Sequence, residues 1–106
     1  MGEHVVVLTT AESQQEAERI AGALVSRRLV ACATLVPRVT SIYWWEGKVT
    51  QSDEVLVVMK TRRSRANEVI AQVEGLHSYE VPEVLVLPVD GGSERYLNWI
   101  DEACSV

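Results

Sequence analysis

The spacing of apolar positions alternates between strand-like and helix-like periods along this chain. His4-Val5-Val6-Val7-Leu8-Thr9-Thr10 is a short β-branched run and predicts a first strand. Ser13-Gln14-Gln15-Glu16 fits a capping box, in which the Ser13 hydroxyl caps the backbone and Glu16 reaches back. Ala17, Ile20, Ala21, Leu24 and Val25 then recur at helical spacing, so a first helix is expected to about Arg28, with Arg27 and Arg28 at its negative end. Ala33 to Trp45 is rich in β-branched and aromatic residues and predicts a strand, with Pro37 marking an edge position or a bulge. Glu46-Gly47 reads as a tight turn into a returning strand from Lys48 to Lys60.

Ala66, Val69, Ile70, Val73 and Leu76 share one face of a second helix, which Gly75 is expected to stop. Val84 to Leu87 is a further β run between Pro82 and Pro88. Asp90-Gly91-Gly92-Ser93 is a turn ending in a cap, and Leu97, Ile100 and Cys104 line a last helix. The order β-α-β-β-α-β plus a terminal helix, with right-handed crossovers, predicts an α+β ferredoxin-like sandwich on one antiparallel sheet.

Two features do not suit a monomer of that design. Both crossover helices cover one sheet face, yet Val5–Leu8, Val55–Met59 and Val84–Leu87 are apolar at nearly every position, as in strands buried on both faces. Ala33 to Trp45 would also extend roughly 40 Å, about twice the reach of His4 to Thr10, so the hairpin must overhang its sheet. Unpaired ladder groups of that kind invite another chain. A homo-oligomer that buries the open face and pairs the overhangs resolves both.

Composition adds bounds. The 106 residues suit one domain, 1–106, and 47% hydrophobic content with 18 valines excludes disorder. Apolar runs of about five residues fall far short of the ~20 needed to span a bilayer, and no secretory signal is visible. Cys32 and Cys104 read as reduced thiols, and the expected location is cytoplasmic. Ten basic against fifteen acidic residues, net −5, argue against a nucleic-acid partner, as does the absence of aromatics in Glu54–Met59, where RNA-binding domains of this topology stack bases.

His77 stands near Tyr79, Glu80 and Glu83, so His77 and Glu80, with Cys32 as a soft ligand, form a candidate metal set. The plainer readings are a helix-end histidine bonding a carbonyl, and a thiol that is a small buried hydrophobe. His4 reads as surface. Tyr43 and Trp44 read as interface anchors, because adjacent strand residues face opposite sides and the two tryptophans, Trp44 and Trp45, cannot share one core. Trp45, Lys60, Tyr79 and Glu83 could line a cleft between subunits, as a small-ligand pocket or as an ion pair locking the assembly. Arg62, Arg63 and Arg65 open the second helix against its dipole and read as a solvated run. An acyl- or phosphoryl-transfer enzyme is the alternative class. It finds no nucleophile–base constellation and no glycine-rich phosphate loop here.

Ala31-Cys32-Ala33-Thr34-Leu35-Val36-Pro37, Ser41-Ile42-Tyr43-Trp44-Trp45-Glu46-Gly47-Lys48, Lys60-Thr61, His77-Ser78-Tyr79-Glu80-Val81-Pro82-Glu83 and Tyr96-Leu97-Asn98-Trp99 resemble the CutA family of divalent-cation tolerance proteins. The resemblance runs essentially the whole length. It implies a ferredoxin-like fold assembled as a stable homotrimer with Trp99 at an interface. It further implies association with copper or another divalent cation, a structural likeness to P-II signalling proteins, and a non-enzymatic role. Family members proposed to bind copper can carry a cysteine near the end of strand one and two adjacent histidines before the Pro-Tyr pair. Here those regions read Thr9 and Leu76-His77.

Overall fold

The structure, a computed structural model, describes residues 3–105. Strand β1 (His4–Ala11) leads into helix α1 (Gln14–Ser26), followed by β2 (Cys32–Trp45) and β3 (Lys48–Arg62). A 3-10 turn (Arg63–Arg65) then precedes α2 (Ala66–Leu76), β4 (Leu85–Pro88) and α3 (Glu94–Ala103). The strands form one antiparallel sheet in the order β2-β3-β1-β4. This is the expected α+β architecture.

Helix ends follow local chemistry. The Glu16 amide donates to Ser13 Oγ at 3.1 Å, as the capping box requires. Glu16 reaches one residue further back than expected, accepting from the Glu12 amide at 3.3 Å. At the other end Leu29 N donates to Leu24 O and Arg28 N to Val25 O, a Schellman closure in which buried Leu24 and Leu29 come together. The left-handed position is Arg28, φ 58°, where glycine is the usual occupant. Helix α2 runs through Gly75 and stops instead at His77, which turns extended at φ −82° and ψ 144°. Gly75 keeps its helical partners, and tertiary bonds at His77 and Ser78 pull the chain out of the helix. The arginines after β3 are not a simple solvated run, since Arg65 Nη2 donates to Cys104 O at 2.9 Å and ties α2 to the end of α3.

The core lies between α1, α2 and one sheet face. Val5 and Val7 of β1 and Val57 and Met59 of β3 are fully buried there, against Ile20, Leu24, Val69 and Val73. Thr61, also fully buried, donates from Oγ1 to Leu29 O at 2.6 Å, which satisfies its hydroxyl inside the core. Helix α3 lies across one end of the opposite face. His4 Nε2 and Arg62 Nε both reach Asp101 Oδ1, at 2.9 and 3.5 Å, so His4 is a half-buried strap rather than a free surface residue.

The remainder of that opposite face is apolar. The ladder places Val6, Leu8, Leu56, Val58, Leu85 and Leu87 together on it. Leu85 and Leu87 are 55% and 43% exposed, and the other four are half-buried. The expectation of a sheet apolar on both faces therefore holds: α1 and α2 cover one side, and α3 covers only one end of the other.

The hairpin overhangs as its length requires. β1 pairs with β3 only from Val55 to Arg62, so Lys48–Glu54 pairs with β2 alone. The radius of gyration is 14.2 Å, against about 13 Å for a compact chain of this length. Pro37 sits in a bulge: the register slips between Val36 and Val39, and Arg38 takes φ 61°. Glu46 and Gly47, at φ 50° and 81°, close a two-residue turn whose paired positive φ values suit the twist of the strands.

Candidate functional site

The bulge at Pro37 decides what the hairpin presents. Before it, Cys32, Thr34 and Val36 stand on the open face, paired with Lys60, Val58 and Leu56. The extra residue reverses the alternation, so Val39, Ser41, Tyr43 and Trp45 now share that face with Glu54. Where the hairpin leaves the sheet, these side chains meet the segment after α2. The result is a groove of about 680 Å³ lined by Ser41–Trp45, Thr10, Glu54, Tyr79–Val81 and Glu83. That volume lies within the range of small-molecule sites.

Its floor is a hydrogen-bonded carboxylate. Glu54 is only 7% exposed, and Tyr79 donates its hydroxyl to Glu54 Oε2 at 2.7 Å. Burial and then this bond to a carboxylate push the Tyr79 phenol well above its ordinary range. Tyr43 bonds Ser52 across the hairpin at 2.7 Å, which fixes its ring on the wall.

Behind the groove, a second cluster positions Tyr79. The His77 ring is fully buried. Its Nδ1 accepts from the Tyr79 amide at 3.1 Å, so Nε2 carries the proton and donates to Thr10 O at 2.6 Å. Glu16, 7% exposed, accepts from the Ser78 amide at 2.8 Å and from Glu12 N. Burial alone would raise the Glu16 carboxyl. The bonds from Ser78 and Glu12, with His77 nearby, outweigh it and hold the group below the usual carboxylate range. One glutamate thus pins the start of α1 to the end of α2.

The residues singled out from the sequence divide among these places. Trp45, Tyr79, Glu80 and Glu83 line the groove together, whereas Lys60 stands further along the same face, before the bulge, donating from Nζ to Thr34 Oγ1 at 2.8 Å. Cys32 pairs with Lys60 and meets the Tyr96 hydroxyl at 3.7 Å, at the α3 end of the sheet and away from His77. Trp44 is 74% exposed, on the opposite side of the hairpin from Trp45. Trp99 stacks against Tyr96 on α3, ring centroids 5.5 Å apart. Glu54 and Glu16 escaped sequence reading, because one looks like an ordinary charge in a strand and the other like a cap alone. The bulge was the available signal for Glu54, since it sets which hairpin residues face it.

A divalent metal fits poorly inside one chain. The described residues contain no group of three or more His, Cys, Asp or Glu placed to hold an ion. Both His77 nitrogens are engaged, and His77, Cys32 and Glu80 are not gathered. Cys32 and Cys104 are both free thiols. No helix among the described residues is long and apolar enough to cross a membrane.

Comparison with known proteins gives one consistent family. Residues 5–103 match the family described as CutA1 divalent ion tolerance protein. The chain is 42% identical over 96 residues to Protein CutA 1, chloroplastic, of Oryza sativa subsp. japonica, covering 91% of this chain and 54% of that protein. It is likewise 42% identical over 97 residues to the divalent-cation tolerance protein CutA of Pectobacterium atrosepticum, covering 92% and 88%. The structure of the periplasmic divalent cation tolerance protein CutA from Archaeoglobus fulgidus superposes with a TM-score of 0.93 at 38% identity, over 96% of this chain and 99% of that one. The chain spans about half the length of the plant relatives it matches. The names chloroplastic and periplasmic overturn the expected cytoplasmic location. Free thiols record only that no disulfide forms, and the same fold serves in several compartments.

Proposed function

The chain belongs to the CutA1 divalent ion tolerance family, and on that premise we propose that it acts as a non-enzymatic homotrimer in divalent-metal tolerance, copper being the metal concerned. The observation that carries the assembly is the open sheet face, where Leu8, Val58, Leu85 and Leu87 stand together with no helix over them. At ~25 cal/mol per Å², covering a face of this kind is a strong drive to associate. Neighbouring copies also supply partners for the overhanging hairpins, with Tyr43, Trp44 and Trp99 as anchors.

The groove of Trp45, Tyr79 and Glu83 then lies at a cleft between subunits, and Lys60 joins it from a neighbour. In this reading the protein works as a P-II-like sensor, whose clefts bind a small effector and whose hairpins present the result. Metal enters as what the cell tolerates and not as a resident ion, because the described residues of one chain offer no closed ligand set. Relatives that match over most of the chain carry names that are not those of enzymes, which supports a non-catalytic role.

Native mass spectrometry of the wild type and of Leu8→Glu tests the assembly. A trimer that the substitution converts to monomer is the expected result. A wild type that stays monomeric at micromolar concentration contradicts it. Copper tolerance of cells carrying Leu8→Glu in place of the wild type tests whether function needs the assembly, and unchanged tolerance would separate the two.

A further inference from the structure

We infer that Lys60 of one subunit pairs with Glu54 of the next, so that the cleft between copies is closed by a charge pair that neither chain holds alone. This rests on reading the groove as a cleft between subunits and names the group that completes it.

The ladder puts both residues on the open face of β3, with Leu56 and Val58 between them. They are about 20 Å apart at the rise of a strand, too far for contact within one chain. Each is incomplete by itself. Glu54 is 7% exposed, and its one bond among the described residues comes from the Tyr79 hydroxyl onto Oε2. No fully buried side-chain oxygen lacks a partner among those residues, so Oε1 opens onto the groove, which no Lys, Arg or His of the same chain lines. Lys60, half-buried toward the other end of the face, donates from Nζ to a neutral hydroxyl, Thr34 Oγ1, at 2.8 Å. Its ammonium carries further donors that this bond does not use.

Covering the face with another copy encloses both groups. A carboxylate or an ammonium enclosed without a counter-ion opposes association, whereas the two together satisfy each other. The other cations on this side of β3 are placed differently. Arg62 already meets Asp101 of α3, and Lys48 stands at the hairpin tip, beyond the part of β3 that β1 joins. Opposite charges at opposite ends of an apolar face select a head-to-tail contact, the Lys60 end of one copy against the hairpin end of the next. Repeated around a closed ring, that contact pairs every Glu54 with a Lys60, whereas two subunits alone would leave one of each unpaired. Tyr79, by holding Oε2, leaves Oε1 toward the incoming ammonium. Lys60 is then a structural counter-ion of the cleft and not a group free to bind an effector.

The test is a double-mutant cycle of Glu54→Gln, which keeps an acceptor for Tyr79, and Lys60→Met. It is read by thermal unfolding at fixed protein concentration, with native mass spectrometry of every sample. Distant sites add, whereas contacting charges couple, so coupling between residues this far apart in one chain reports contact across the interface. Each single substitution should lower Tm by about 5 °C or more, and the double variant should melt about 5 °C or more above the additive sum. Lys48→Met combined with Glu54→Gln should be additive to about 2 °C. Additivity of Glu54→Gln and Lys60→Met in a trimer, or coupling of Glu54→Gln to Lys48→Met instead, would overturn the pairing alone. A monomeric wild type would overturn the cleft itself, and the pairing with it.

Discussion

Removing the Glu16 carboxylate should cost more than any other single polar change outside the sheet. Its two oxygens accept from different segments, Oε2 from Ser78 N at 2.8 Å and Oε1 from Glu12 N at 3.3 Å. Glu16→Ala strands both donors in a site where the side chain is 7% exposed. A buried donor left unsatisfied costs ~1–3 kcal/mol. The Glu12 end is exposed and its bond is long, so about 2–4 kcal/mol in all is the working figure. For a chain of 106 residues, 1 kcal/mol moves Tm by about 4–5 °C, so a fall of roughly 8–20 °C is expected. Glu16→Gln retains one acceptor oxygen and should lose about half as much. The assay is thermal unfolding at fixed protein concentration, since association shifts Tm.

A pH arm adds an independent check. The Glu16 carboxyl is held below its ordinary value in the folded state, so its contribution is complete above the unfolded pKa and disappears as pH falls through the folded one. The gap between wild type and Glu16→Gln should therefore narrow below about pH 4.5. A Glu16→Ala variant that melts within 2 °C of wild type, or a gap that widens on acidification, would refute the reasoning.

Further outcomes follow from single observations. Tyr79 is raised in the folded state, so the native protein holds a proton that the unfolded chain releases above pH 10; stability should fall with alkalinity there, and Tyr79→Phe should flatten that slope in urea unfolding. Arg28 occupies a left-handed position with φ 58°, and Arg28→Gly should raise stability by up to about 1 kcal/mol, less the loss of its bond to Ser105 O. Thr61→Val keeps the volume but leaves Leu29 O without its 2.6 Å donor, so a loss of about 1–2 kcal/mol in denaturant unfolding is expected. His77→Ala should lower stability while leaving any copper affinity of the trimer unchanged, because both ring nitrogens are already engaged.

Much of the fold was legible because its signals are local. The period of apolar residues placed the core elements, Ser13 and Ser93 announced their helices, and Pro37 and Glu46-Gly47 marked the bulge and the turn. Gly75 misled because glycine permits a helix end without enforcing one. The stop came from Ser78 and His77 bonding to residues 62 and 67 positions earlier, a tertiary fact no local pattern carries. The candidate site was half legible for the same reason. Trp45, Tyr79 and Glu83 converge, but Lys60 cannot join them within one chain, because it stands toward the far end of the sheet on Thr34. Glu54 becomes the floor of the groove only after the bulge turns the hairpin residues toward it.

The central claim is that the uncovered sheet face is an interface between copies of this chain. Native mass spectrometry at micromolar concentration measures that directly. The account predicts a single species at three times the chain mass, lost in Leu8→Glu. A stable monomer with Leu85 and Leu87 still open to solvent would contradict it.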